Sequence, residues 1–138
     1  MNVKTTIAAL LLLILVPGIC NAGALKDEYE LKKKCGVEAG EYFVSIHGNG
    51  QPTKDNNNNT SGYTNHYNKK LNACYILTWS SNGKDNSKML EDVHENAMIG
   101  LMSYEANSAG NTYYCNVGEK QCSTIKEFDK LIKPYMTQ

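Results

Sequence analysis

Cys74-Tyr75-Ile76-Leu77-Thr78-Trp79 is the stretch on which the fold turns. It is short, aromatic and β-branched, and apolar at successive positions, so neither of its alternating faces suits water. A strand of that kind lies in the middle of a sheet and needs cover on both sides. Downstream, Lys88 to Val93 and Met98 to Tyr104 read as two strands around a turn at His94-Glu95-Asn96-Ala97. Thr112 to Val117 and Lys120 to Cys122 read as a hairpin, because Gly118 at the first turn position suits a type II′ turn. Helices flank these strands. Cys35, Ala39, Tyr42, Phe43 and Ile46 recur at spacings of three and four, which predicts a helix from Lys26 to about Ile46. Gly36 and Gly40 weaken it, but they suit close approach to a sheet. At the other end Thr124-x-x-Glu127 is a capping box, and Phe128, Leu131, Ile132 and Tyr135 form one apolar stripe. Pro134 kinks or closes that helix. The expected class is α+β: an N-terminal helix, an antiparallel sheet of about four strands, a C-terminal helix and two disulfides.

Between these elements the chain is polar. His47 to Gly62, with its run Asn56 to Asn59, reads as a surface loop, and Ser80 to Asn86 and Asn107 to Asn111 read as turns. Asn65-His66-Tyr67-Asn68 is a dense polar-aromatic cluster just before the first long strand. Such residues build either a hydrogen-bonded structural corner or part of a ligand pocket, and the corner is the preferred reading.

The amino terminus has the order of a secretory leader: Lys4, an apolar run from Ile7 to Val16, then small residues. That run is about ten residues, roughly half of what a bilayer-spanning helix needs. The reading is therefore a signal peptide over residues 1–24, cleaved after Ala22 or Ala24, and one domain over 25–138. Lipid attachment at Cys20 is disfavoured by Ile19, which stands where a small residue is wanted. The expected location is the periplasm or the exterior, with no transmembrane segment after cleavage. Of 14 cationic and 14 acidic side chains only Lys4 lies in the leader, which leaves 13 against 14. Every cation is Lys. Without Arg, the residue that grips phosphate bidentately and stacks on bases, a near-neutral domain is a poor nucleic-acid binder.

Four cysteines follow the leader: Cys35, Cys74, Cys115 and Cys122. An even number in an exported chain reads as disulfides, for which three pairings exist. A two-residue turn at Gly118-Glu119 sets Cys115 opposite Cys122, within bonding reach, and Cys35 to Cys74 is then the remaining bridge. No C-x₂₋₄-C pair supports a zinc site, and no C-x-x-C supports redox chemistry.

Motifs for chemistry fail one by one. Asp55, Asn57 and Asn59 have calcium-loop spacing, but Thr60 stands where the loop needs Gly and His66 where it needs a bidentate Glu. Asn58 and Asn59 each open an N-x-S/T acceptor, relevant only in a eukaryotic secretory route. S-x-x-K occurs at Ser81 and at Ser123 without the companion motifs of a serine acyl enzyme. Gly48-Asn49-Gly50 lacks the third glycine of a phosphate loop. His94, with Glu91, Asp92 and Glu95 nearby, offers a general base or a metal ligand and reads instead as a solvated turn histidine. The nine tyrosines, Tyr113 and Tyr114 among them, supply an amphipathic recognition surface or ordinary half-buried strand positions. No catalytic residue, metal ligand or cofactor is assigned. His66, Tyr67, Tyr113 and Tyr114 are the candidate binding residues.

Two segments carry a resemblance. His66-Tyr-Asn-Lys-Lys-Leu-Asn-Ala-Cys74 and the tail from Cys122-Ser-Thr-Ile-Lys-Glu-Phe128 to Pro134-Tyr-Met136 resemble short exported bacterial proteins of unknown function, in which a HYNxxLNxC strand precedes a C-S-x-x-x-E-[FW] helix ending near P-Y-M. The likeness spans most of residues 35–136 and implies fold and location, with no activity to carry over. The expected function is a non-enzymatic binding or envelope-maintenance protein whose partner is an envelope protein or a glycan. The alternatives are a small envelope hydrolase using His66 or His94, and a secreted inhibitor or immunity factor.

Overall fold

The apolar strand at Cys74–Trp79 receives one helix on each of its faces. The computed structural model describes residues 21–48, 53–54, 59–106 and 112–137. Helix α1 (Asn21–His47) is followed by β1 (Thr53–Lys54), β2 (Thr60–Asn68), β3 (Ala73–Ser81), β4 (Asp85–Asp92), β5 (Ala97–Glu105), β6 (Thr112–Val117) and β7 (Lys120–Gln121), and helix α2 (Ile125–Met136) closes the chain. The strands form one antiparallel sheet of seven in sequence order, a meander in which β1 and β7 are two residues each. The sheet is therefore wider than the four strands expected, because Thr60–Asn68 is a full strand. The polar cluster Asn65–Asn68 lies inside β2, paired residue by residue with β3. Its polar composition hid it: β2 lies at one side of the sheet, beside the two-residue β1. There it can afford Thr64 and Asn65 exposed to water.

Directly opposed residues of antiparallel strands share a face. Tyr67/Cys74, Asn65/Ile76 and Tyr63/Thr78 therefore face α1, whereas His66/Tyr75 and Gly62/Trp79 face the other way. On the first side Cys35, Ala39 and Phe43 of α1 bury against Tyr67, Cys74 and Ile76. Phe43 stacks on Tyr63 at 4.7 Å between ring centroids. A Cβ on Gly40 would sit 3.1 Å from the Tyr63 hydroxyl, so this glycine sets the helix-to-sheet distance. On the second side Phe128 and Ile132 of α2 pack on Tyr75, Leu90, Met102, Cys115 and Val117.

The disulfides are Cys35–Cys74, which ties α1 to β3, and Cys115–Cys122, which closes the β6–β7 hairpin. Gly118 has φ +57 and Val117 pairs with Lys120, the register the two-residue turn requires. Thr124 caps α2 by accepting from Glu127 N–H at 3.2 Å, while the Glu127 carboxylate accepts from Ser123 N–H at 2.8 Å. At the other end of α2, Asn68 is 1% exposed and donates Nδ2 to the Pro134 and Tyr135 carbonyls at 2.8 and 3.1 Å. These carbonyls have no intrahelical partner, so Asn68 satisfies the helix end from the strand beneath it. Pro134 costs the helix a hydrogen bond one turn from its end, where that loss is smallest. Among the described residues no helix is long and apolar enough to cross a membrane. Residues 1–20 of the expected leader with Cys20, residues 55–58 of the calcium-loop spacing, Asn58 of the glycosylation acceptors, Asn49-Gly50 of the phosphate-loop candidate and the turn at Asn107 to Asn111 fall outside the described residues. Ala22 and Ala24, the two expected cleavage positions, fall in the first turn of α1.

Candidate functional site

Among the described residues helix α1 packs mainly on β2 and β3, touches β4 only at its Glu91 end through Tyr42, and no helix covers the rest of that face on β4, β5 and β6. Reading the register across the strands shows what lies there. Ser61 of β2 pairs with Ser80 of β3, Ser80 with Ser87 of β4, Ser87 with Ser103 of β5, and Ser103 with Tyr114 of β6. Four serines and a tyrosine thus form one row across five adjacent strands, just beyond the C-terminal end of α1. Adjacent strands lie about 4.8 Å apart, so the row extends for about 19 Å. Serine supplies neither the β-branch nor the aromatic surface that strand positions favour. The row one step along the sheet on the opposite face, Gly62, Trp79, Lys88, Met102 and Cys115, is far less polar and leads into the α2 core. Gly62 itself lies under the indole, which a Cβ there would overlap.

The four serines line an open groove of about 640 Å³ whose walls include His47, Asn82 and Asp85, whereas Tyr114 lies beyond its end, in a neighbouring depression with Tyr113 and Gln121. Ser80 and Ser87 share a hydrogen bond at 2.7 Å between their hydroxyl oxygens, which uses one of the two hydroxyl protons of the pair. Asn82 holds the rim, its side-chain oxygen accepting from Lys84 N–H at 2.9 Å and Asp85 N–H at 2.6 Å. The ring of His47 stacks on Phe43 at 4.6 Å, and its Nε2 is buried with no partner among the described residues. Asp85 stands opposite Glu105. Tyr113 is the extra residue of a bulge, since Ser103 pairs with Tyr114 and Tyr104 with Thr112. Local desolvation, then the charges of Glu105 and Asp85, push the Tyr113 hydroxyl above its ordinary value.

The four residues singled out from the sequence do not share a site. His66 and Tyr67 are consecutive in β2 and face opposite sides. Tyr67 is buried beneath α1 and donates to Asn72 Oδ1 at 2.7 Å. His66 is half-buried on the α2 side, and burial, then the Lys32 charge, lowers its pKa. Tyr113 and Tyr114 are 62% and 49% exposed, and Tyr114 ends the serine row.

A second polar cluster joins α1 to the β4–β5 turn. His94 Nε2 lies 2.7 Å from Glu38 Oε2, a contact that holds the Glu38 carboxyl below the usual range. Tyr42 donates to Glu91 Oε1 at 2.7 Å, and burial, then this bond and the Glu91 charge, push its hydroxyl up to about 12. His94 is exposed, and it does not line the serine groove. Ser123, the helix-opening serine of the S-x-x-K pattern, donates its hydroxyl to Glu127 at 2.9 Å. Among the described residues no three His, Cys, Asp or Glu side chains are grouped to hold a metal ion.

Sequence reasoning missed the serine row. Ser61, Ser80, Ser87 and Ser103 lie 7 to 19 residues apart and align only once the register of four strands is known. No family model, no curated protein and no solved structure matches this chain.

Proposed function

We propose that the chain is an exported, non-catalytic binding protein that takes its ligand on the open half of the α1-side face. The serine row carries this reading. Four neighbouring strands place the same small hydroxyl side by side along the groove, half-buried at Ser80, Ser87 and Ser103 and buried at Ser61. Such a floor suits a ligand recognised through many hydrogen bonds rather than a reacting group. Export is supported by the leader pattern and by two disulfides, which persist in oxidising compartments. The resemblance to short exported bacterial proteins agrees with that location.

The hydrolase alternative has one observation in its favour, the His94–Glu38 pair. Against it, His94 is exposed to solvent and the pair has no serine, cysteine or threonine nucleophile bonded to it among the described residues. The pair reads better as a latch that fixes the β4–β5 turn to α1. Amide chemical-shift mapping of the oxidised chain tests the proposal, using separate pools of saccharides, short peptides and nucleotides. The expected result is that one pool moves the amides of Ser61, Ser80, Ser87 and Ser103 together. Shifts confined to α1, or none from any pool, contradict it.

A further inference from the structure

We infer that the groove binds a neutral oligosaccharide, which makes the binding reading above specific. Three features of the floor and walls select that class. First, the ligand must be read by side chains, because β3, β4 and β5 are paired on both edges and offer it no free backbone donors or acceptors. An extended peptide, which is recognised by adding a strand to a sheet edge, gains nothing on this floor. What the floor presents is hydroxyl, with Asn82 and Asn86 amides and the Asp85 carboxylate at the rim. Hydroxyls both donate and accept, and a carboxylate accepts from two neighbouring hydroxyls, so the set matches a ligand built of hydroxyl groups.

Second, the charge is wrong for anions. The described residues that line the groove include no Lys, although the chain has 14. Asp85 and its neighbour Glu105 place negative charge at one end. Phosphates, nucleotides and acidic polymers are repelled by such a rim. Third, the row ends on an exposed aromatic ring. Tyr114 stands directly opposite Ser103, just beyond the end of the groove, and offers an apolar face with a polar tip, on which the C–H face of a sugar ring projecting past Ser103 can lie. A row of about 19 Å takes several linked rings rather than one.

The test uses maltohexaose, cellohexaose and chitohexaose as neutral probes and a hexagalacturonate as the anionic one, each titrated into the oxidised chain at up to millimolar concentration. At least one neutral hexamer is expected to shift the Ser61, Ser80, Ser87 and Ser103 amides, with the hexagalacturonate at least tenfold weaker. Tyr114→Ala should weaken that binding about tenfold with an unchanged melting temperature, and Tyr114→Phe should retain it. Equal or tighter binding of the anionic hexamer, no shift from any neutral hexamer, or a Tyr114→Ala variant that binds like the parent overturns the inference. If instead a peptide or nucleotide pool moves the groove amides, the saccharide is wrong and the binding surface stands. If no pool of any class does, both fall.

Discussion

The two halves of the α1-side face use the same sheet in opposite ways. Under α1, the row Tyr63–Thr78 and the rows beside it are sealed: Thr78 is 4% exposed, Phe43 and Ile76 are fully buried, and Cys35–Cys74 welds helix to strand. One row further on and toward β6, the helix has ended, and serines replace the apolar residues. On the opposite face α2 packs on β2, β5 and β6. The contrast teaches that stability is concentrated where a helix meets the sheet, which leaves the uncovered corner free to be shaped by something other than packing.

The largest expected effect breaks that contrast at a single side chain. Phe43→Ala empties a fully buried site and should cost about 3–5 kcal/mol in urea unfolding, as large-to-small core changes do. Leu101→Ala, on the open half and only half-buried, should cost well under half as much. Equal losses would mean that the open half is as tightly packed as the covered one.

The disulfides sharpen the same comparison. In the chain-entropy model the bridge with a sequence separation of 39 is worth about 4 kcal/mol, and the one with a separation of 7 about 2.5 kcal/mol. Cys35→Ser with Cys74→Ser should therefore lower the melting temperature more than Cys115→Ser with Cys122→Ser. The difference should widen because the first pair lies in the core beneath α1. A larger loss from the hairpin pair would refute the assignment of stability to the α1 side.

A smaller effect appears at alkaline pH. The folded state holds the Tyr42 proton up to about 12, against an ordinary value of 10.0, because burial and Glu91 disfavour the phenolate. A raised folded value contributes stability that is complete below the unfolded value and is lost as pH rises through the folded one. The chain should thus lose stability between about pH 10 and 12, and Tyr42→Phe should flatten this part of the profile. An unchanged slope in the variant would mean that the Tyr42–Glu91 bond does not set the alkaline limit.

Much of the fold was legible because local chemistry and burial agree. The stripe Phe128, Leu131, Ile132, Tyr135 behind the Thr124 cap marks α2, and Gly118-Glu119 marks the hairpin with its disulfide. Strand β2 was legible only in part. Thr64, Asn65 and His66 carry no apolar alternation, and the strand is held by its pairing to β3 and by Asn68, whose partners lie 66 and 67 residues away. The same reason conceals the candidate site. Serine has no periodic signature, and the row exists only as a product of register, whereas Tyr114 announces itself by aromatic character. The polar-aromatic cluster Asn65–Asn68 makes His66 and Tyr67 look like neighbours in one pocket, but consecutive strand residues diverge to opposite faces.

The division of labour can be tested by filling the groove. Ser103 lies on the open row, half-buried, between Ser87 and Tyr114, so Ser103→Trp should plug the floor while leaving the melting temperature within a few degrees of the parent. Amide mapping of parent and variant with the same neutral hexasaccharide should then show shifts along the row in the parent and none in the plugged form. Undiminished binding by the folded variant, or parent shifts gathered under α1, would contradict the account.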